Sequence, residues 1–151
     1  MPDVVPATAV PATEAPTAAA PAATAAPQQG VNSDIFTNIT QSGDAFSLKC
    51  SPSELTFSAS SSNAYLTKTQ FYYRMVDKQN NISSPWSMGG EMKGDGNGNY
   101  SLTFTALNVN PDLRYDHGWF EYQLIGLSKT GSVVGRTQKI EKQVTFTLNC
   151  P

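Results

Sequence analysis

The chain has 151 residues, with 10 Lys and Arg against 12 Asp and Glu and a formal net charge of -2. No Lys or Arg precedes Lys49 and no basic cluster follows it, so nucleic-acid binding driven by counterion release is not expected. No apolar run approaches the ~18 residues that a membrane span needs.

The first thirty residues are unlike the rest. Positions 2–29 hold eleven Ala, six Pro and four Thr. Such a segment has too few large apolar side chains to offset the entropy of ordering, which predicts a disordered Ala/Pro/Thr-rich linker over residues 1–30. Prolines at 6, 11, 16, 21 and 27 favour extended polyproline II segments at about 3.1 Å per residue, a reach of at most roughly 85 Å. Met1-Pro2-Asp3 has neither the charged nor the apolar region of a secretory signal. The expectation is a mature chain whose export signal has been removed.

Residues 31–151, roughly 120 positions, are enough for one core. Ile35, Phe36 and Ile39 open a first edge strand that continues weakly through Phe46 and Leu48. Leu55, Phe57 and Ala59 then alternate with Glu54, Thr56 and Ser58, the two-residue period of a half-buried strand. A third strand near Thr67–Asp77 places Phe71, Tyr73 and Met75 on one face and Gln70, Tyr72 and Arg74 on the other. Ser84-Pro-Trp-Ser87 reads as a short peripheral strand because of Pro85.

Gly94-Asp-Gly-Asn-Gly-Asn99 has the residues of a tight connection. Tyr100, Leu102, Phe104 and Ala106 give the cleanest alternation in the chain. In Gly118–Ser128, Phe120, Tyr122 and Leu124 alternate with Glu121 and Gln123, and this stretch reads as the central strand. A last strand from Ser132 to about Asn149 has Val144, Phe146 and Leu148 on its core side, with a bulge or close approach at Gly135. No long stretch has helical periodicity. The expectation is an all-β, antiparallel two-sheet sandwich of about seven strands.

Cys50 and Cys150 both sit at the outer ends of predicted strands, each next to a proline. In an immunoglobulin-type strand order both fall at one pole, which predicts a disulfide and an oxidising, non-cytosolic compartment. A bridge between the two central strands is not expected, since aromatics stand there instead.

Several motifs have a family look: Cys-Ser-Pro-Ser before Leu-Thr-Phe, Phe71-Tyr-Tyr-Arg, Pro-Trp-Ser, Gly-Asn-Tyr-Ser-Leu-Thr-Phe, Trp-Phe-Glu-Tyr-Gln-Leu, Val-Val-Gly-Arg-Thr-Gln and Thr-Leu-Asn-Cys. Together they resemble the immunoglobulin-like or fibronectin-III-like modules of bacterial cell-surface proteins and lipoproteins, over about residues 31–151. The resemblance implies an extracellular or cell-surface role in structure, assembly or adhesion. It implies no cofactor and hands over no catalytic residues.

Candidate sites are few. Asp95, Asn97 and Asn99 have the oxygen spacing that begins a calcium loop, but Tyr100 and Ala106 stand where its glycine and bidentate Glu belong, so a hairpin turn is the better reading. His117, near Asp112 and Asp116, lacks a nucleophile or second ligand at a recognisable spacing, and no Gly-x-Ser-x-Gly elbow occurs. The chain is therefore not expected to be an enzyme.

Trp86, Trp119, Tyr72 and Tyr115 are the candidate ligand or partner surface, on the expectation that they are partly exposed. They suit a protein partner, self-association or, as the alternative, stacking on polysaccharide. Edge strands near residues 35–40 and 84–90 offer strand addition as a route to assembly. Asn38-Ile-Thr40, Asn81-Ile-Ser83 and Asn99-Tyr-Ser101 are glycosylation sequons in form, expected in exposed turns or edges.

Overall fold

The structure, a computed structural model, describes residues 35–150. The expected linker over residues 1–30 lies outside the described residues. The described chain is all-β. Its strands are β1 (Thr37–Gln41), β2 (Ala45–Ser47), β3 (Glu54–Ser60), β4 (Lys68–Asp77), β5 (Ser87–Gly94), β6 (Asn99–Thr105), β7 (His117–Leu127), β8 (Val133–Arg136) and β9 (Ile140–Thr147). They form one hydrogen-bonded sheet in the order β1-β3-β6-β5-β4-β7-β9-β2, with β8 also pairing β7.

Two devices curl this sheet over its own apolar face. β5 pairs with β4 through Ser87–Met92 and with β6 through Lys93 and Gly94. Gly90, at φ 146° beside a register shift, lets the strand turn from one half to the other. On the opposite side, β1 pairs antiparallel with β3, and the same segment continues as β2, parallel to β9. The halves meet face to face: the Phe57 ring lies 4.7 Å from Phe71 and 4.8 Å from Tyr122.

The alternation read from sequence is what builds the core. Phe71, Tyr73 and Met75 from β4, Phe120, Tyr122 and Leu124 from β7, and Leu55 and Phe57 from β3 all enter one buried cluster. All seven phenylalanines are buried, and each such side chain contributes about 1.5–3 kcal/mol by leaving water. β7 is central as expected, held by β4 on one side and by β8 and β9 on the other.

Nine strands appear where about seven were expected, because the first and last predicted strands are each broken. Asn38, at φ 49°, lies in a register shift of β1, and the chain then changes partner between Gln41 and Ala45. The last strand is interrupted at 137–139. There Thr137 bridges the gap, its N–H donating to the Leu124 carbonyl and its hydroxyl accepting from the Leu124 N–H. The sheet is also mixed rather than wholly antiparallel, through the β2–β9 pair.

The peripheral strand expected at 84–87 is corrected too. Pro85 precedes β5, so its missing N–H interrupts no ladder, and β5 lies inside the strand order.

Cys50 and Cys150 are joined, with their Cα atoms 5.4 Å apart. The reason is a register. Phe46 faces Phe146 and Ser47 faces Thr147 across the parallel pair, an offset of one hundred that delivers Cys50 to Cys150 three residues later. Lys49 Nζ donates to Asn149 Oδ1 at 2.9 Å beside the bridge.

Candidate interaction face

The sheet half formed by β5, β4, β7 and β9 has a second face, turned away from the core. Register fixes what stands there. Tyr72 pairs with Gln123, Arg74 with Glu121, and Val76 with Trp119 across β4 and β7. Trp119 in turn pairs with Thr145 of β9, and Met88 of β5 with Tyr72. Because side chains alternate, these residues share a face while their sequence neighbours fill the core.

Segment 83–86 is folded onto this face by three backbone-anchored contacts. Ser84 N–H donates to the Met75 carbonyl at 2.7 Å, Met75 N–H donates to Ser84 Oγ at 2.9 Å, and Ser83 bridges to Val76. This lays Trp86 in a small apolar cluster with Tyr72 and Ile125, flanked by Leu127. The Arg74 guanidinium sits 5.0 Å from the centre of the Trp86 ring. Its Nε donates to Glu121 at 2.7 Å and its Nη2 to Glu141 at 3.1 Å. Glu121 is 3% exposed, so this pair is desolvated on the carboxylate side.

One strand further, the Lys78 ammonium lies 3.6 Å from the centre of the Trp119 ring and donates to Thr145 Oγ1 at 2.8 Å. Burial pushes the Tyr72 phenol above its ordinary value, while the positive charge of Arg136 acts in the opposite direction. The face therefore carries two indoles, two cations and a carboxylate pair, each held by a neighbour.

Of the four expected aromatics, the structure brings three together. Tyr72 and Trp86 are buried, at 1% and 8% exposure, and so do not present open rings. They were read as partly exposed because sequence parity shows which face a residue takes, not what folds over it. Trp119 is half-buried under Lys78. Tyr115 is half-buried beside Gly118 on the core side of the sheet, and does not join them. Arg74, Glu121, Lys78 and Met88 belong to the face and were missed as site residues. Opposite charges at Arg74 and Glu121, both on the outer parity of neighbouring central strands, were the signal that could have found them.

The other candidates lie elsewhere. Asp95 closes the β5–β6 hairpin, its carboxylate accepting from Asn97 N–H (2.7 Å), Asn99 N–H (3.1 Å) and Asn99 Nδ2 (2.7 Å). The Asn99 amide, then the Asn97 N–H, hold this carboxyl below its ordinary value. Asp77 likewise is lowered, by the Gln79 N–H first and the Asn80 amide second. His117 and Asp116 line a shallow cleft with Asp77, Gln79 and Tyr115, whereas Asp112 stands apart in a short 3-10 turn.

Among the described residues, no group of three or more His, Cys, Asp or Glu side chains is arranged to hold a metal. No described helix is long and apolar enough to cross a membrane. Asn38, Asn81 and Asn99 are all exposed, the first two at positive φ and the third bonded to Asp95 and Ser60.

Of the two expected edges, β1 stands at the end of the strand order, with a bulge at Asn38, whereas β5 is flanked on both sides and offers no free row of backbone groups.

No protein-family model matches the chain, and no curated protein matches it.

Proposed function

We propose that residues 31–151 form an immunoglobulin-like β-sandwich acting as a non-catalytic extracellular structural or interaction module, with residues 1–30 as its stalk. The sandwich reading is supported by the first segment serving both sheet halves, antiparallel on one and parallel on the other. An extracellular setting is supported by the Cys50–Cys150 bridge.

The observation that carries the functional reading is the set of accessible residues Arg74, Trp119, Lys78 and Met88 on one outer sheet face, backed by the buried Tyr72 and Trp86. Trp, Tyr, Met and Arg are the residue types enriched in protein interfaces and their hot spots. Their internal pairing holds the face rigid before contact, which lowers the entropy cost of association. The partner is a protein surface or a second copy of this chain. Tethering by the stalk raises effective concentration within its reach. Stacking on sugars through these aromatics is disfavoured by the burial of Tyr72 and Trp86.

Sedimentation velocity over a concentration series, on the chain and its Met88→Asp variant, tests the self-association form. Met88 is 39% exposed, so the substitution removes little core packing. A concentration-dependent species lost in the variant supports it. A species that persists in the variant would place the contact elsewhere.

A further inference from the structure

The pole at which the chain enters the domain carries a second feature, unrelated to the aromatic face. A cleft of about 720 Å³ lies between the loop 61–67 and the β5–β6 hairpin, within the size range of small-ligand pockets. Its lining includes Ser61, Ser62, Asn63, Asn97, Gly98 and Tyr100, and no ionisable acid or base. The Asp95 carboxylate lies outside the lining with its oxygens engaged by the three turn bonds of the hairpin, so a charged ligand finds no ion-pair partner in the cleft wall.

The walls are fixed in place. Ser61 N–H donates to the Gly98 carbonyl at 2.7 Å, and a Cβ at Gly98 would stand 2.3 Å from the Ser61 carbonyl oxygen. Asn63 Oδ1 accepts from the Tyr65 N–H at 2.9 Å, holding the loop in its turn. Meanwhile the Asn63 Nδ2 group, the Ser62 hydroxyl, the Asn97 side-chain amide and the Tyr100 hydroxyl make no hydrogen bond among the described residues. Gly94 leaves the Tyr100 ring uncovered, since a Cβ there would come within 3.2 Å of it.

Neutral amides and hydroxyls with unspent hydrogen bonds, beside a tyrosine ring, match a ligand with many hydroxyls and patches of C–H surface. An apolar ligand would strand those polar groups, and an ionic one would find no partner. We propose that this cleft binds a segment of uncharged polysaccharide, with Asn63 and Asn97 hydrogen-bonding sugar hydroxyls and Tyr100 contacting a ring face. The site is distinct from the aromatic face, so its failure leaves the interaction reading standing, and the reverse holds too.

The test is titration of the isotope-labelled full chain with cellohexaose, chitohexaose and mannohexaose, read by amide NMR shifts, with heparin as the charged control. At about 5 mM ligand a Kd near 1 mM is saturable. Shifts with at least one neutral hexasaccharide, confined to residues 61–67 and 94–100, are expected. Ser62→Ala and Asn97→Ala, both at exposed lining positions, each weaken that binding at least about fivefold, while Trp119→Ala leaves it unchanged. Blank spectra with all three neutral sugars, shifts centred on Trp119, stronger binding to heparin, or full affinity in both cleft variants would each overturn the proposal.

Discussion

Replacing Tyr122 with Phe separates two effects of one hydroxyl. Tyr122 is 1% exposed and its hydroxyl donates to Gln41 Oε1 at 2.6 Å. Burial pushes its phenol from 10.0 up to about 12. At neutral pH the substitution loses one hydrogen bond, about 1 kcal/mol.

Alkaline pH reverses the comparison. A raised folded-state pKa gives stability that is complete below the unfolded value and lost as pH rises through the folded one. For a shift from 10 to about 12 this is about 3 kcal/mol. The wild type loses it through that window, and the Phe variant has no phenol there to ionise. Urea unfolding at fixed pH from 7 to 12 should therefore give two stability curves that cross near pH 11. Tyr72, also raised, is present in both proteins and cancels in the difference. No free cysteine is available to exchange with the disulfide at high pH. Parallel curves with no crossing would mean that the Tyr122 phenol ionises as freely in the folded state as in the unfolded one.

Other substitutions probe other parts of the account. Arg74→Met leaves the buried Glu121 carboxylate without its cation and should lower stability by about 3 kcal/mol, whereas Glu141→Gln, at the exposed end, should cost under 1 kcal/mol by chemical denaturation. Gly96→Ala and Gly98→Ala share a left-handed backbone at φ 82° and 87°, but only the second meets the Ser61 carbonyl. The first should cost about 1 kcal/mol and the second at least about 1 kcal/mol more, with equal melting temperatures arguing against the loop–hairpin contact. Removing the bridge with Cys50→Ser and Cys150→Ser opens a loop of 100 residues and should cost up to about 4.7 kcal/mol in unfolding free energy.

Much of the architecture was legible because a curled β-sheet buries one side chain in two. The alternation in β3, β4, β6 and β7 gave strand positions and core residues together. What broke the reading was local. The Asn38 bulge, the change of partner after Gln41 and the gap at 137–139 leave the apolar pattern unaltered, since these are backbone events that a two-residue period does not encode. The disulfide was placed at the right pole from an assumed reversal of direction, while the physical cause is the parallel β2–β9 register.

The face was half legible. Parity put Tyr72, Arg74 and Trp119 away from the core. It did not show that Ser84 would pin segment 83–86 over β4 and bury Trp86, because that depends on two hydrogen bonds between Ser84 and Met75, one of them through the Ser84 hydroxyl.

The proposed function requires that the β5–β4–β7–β9 outer face meet a protein partner. Photo-cross-linking in cells that express the chain tests it directly, with benzoylphenylalanine placed in turn at Met88, on this face, and at Thr103, an exposed position on β6. A discrete higher-mass adduct from position 88, absent from position 103, is the predicted result. Adducts of equal yield from both positions, or from position 103 alone, would contradict it.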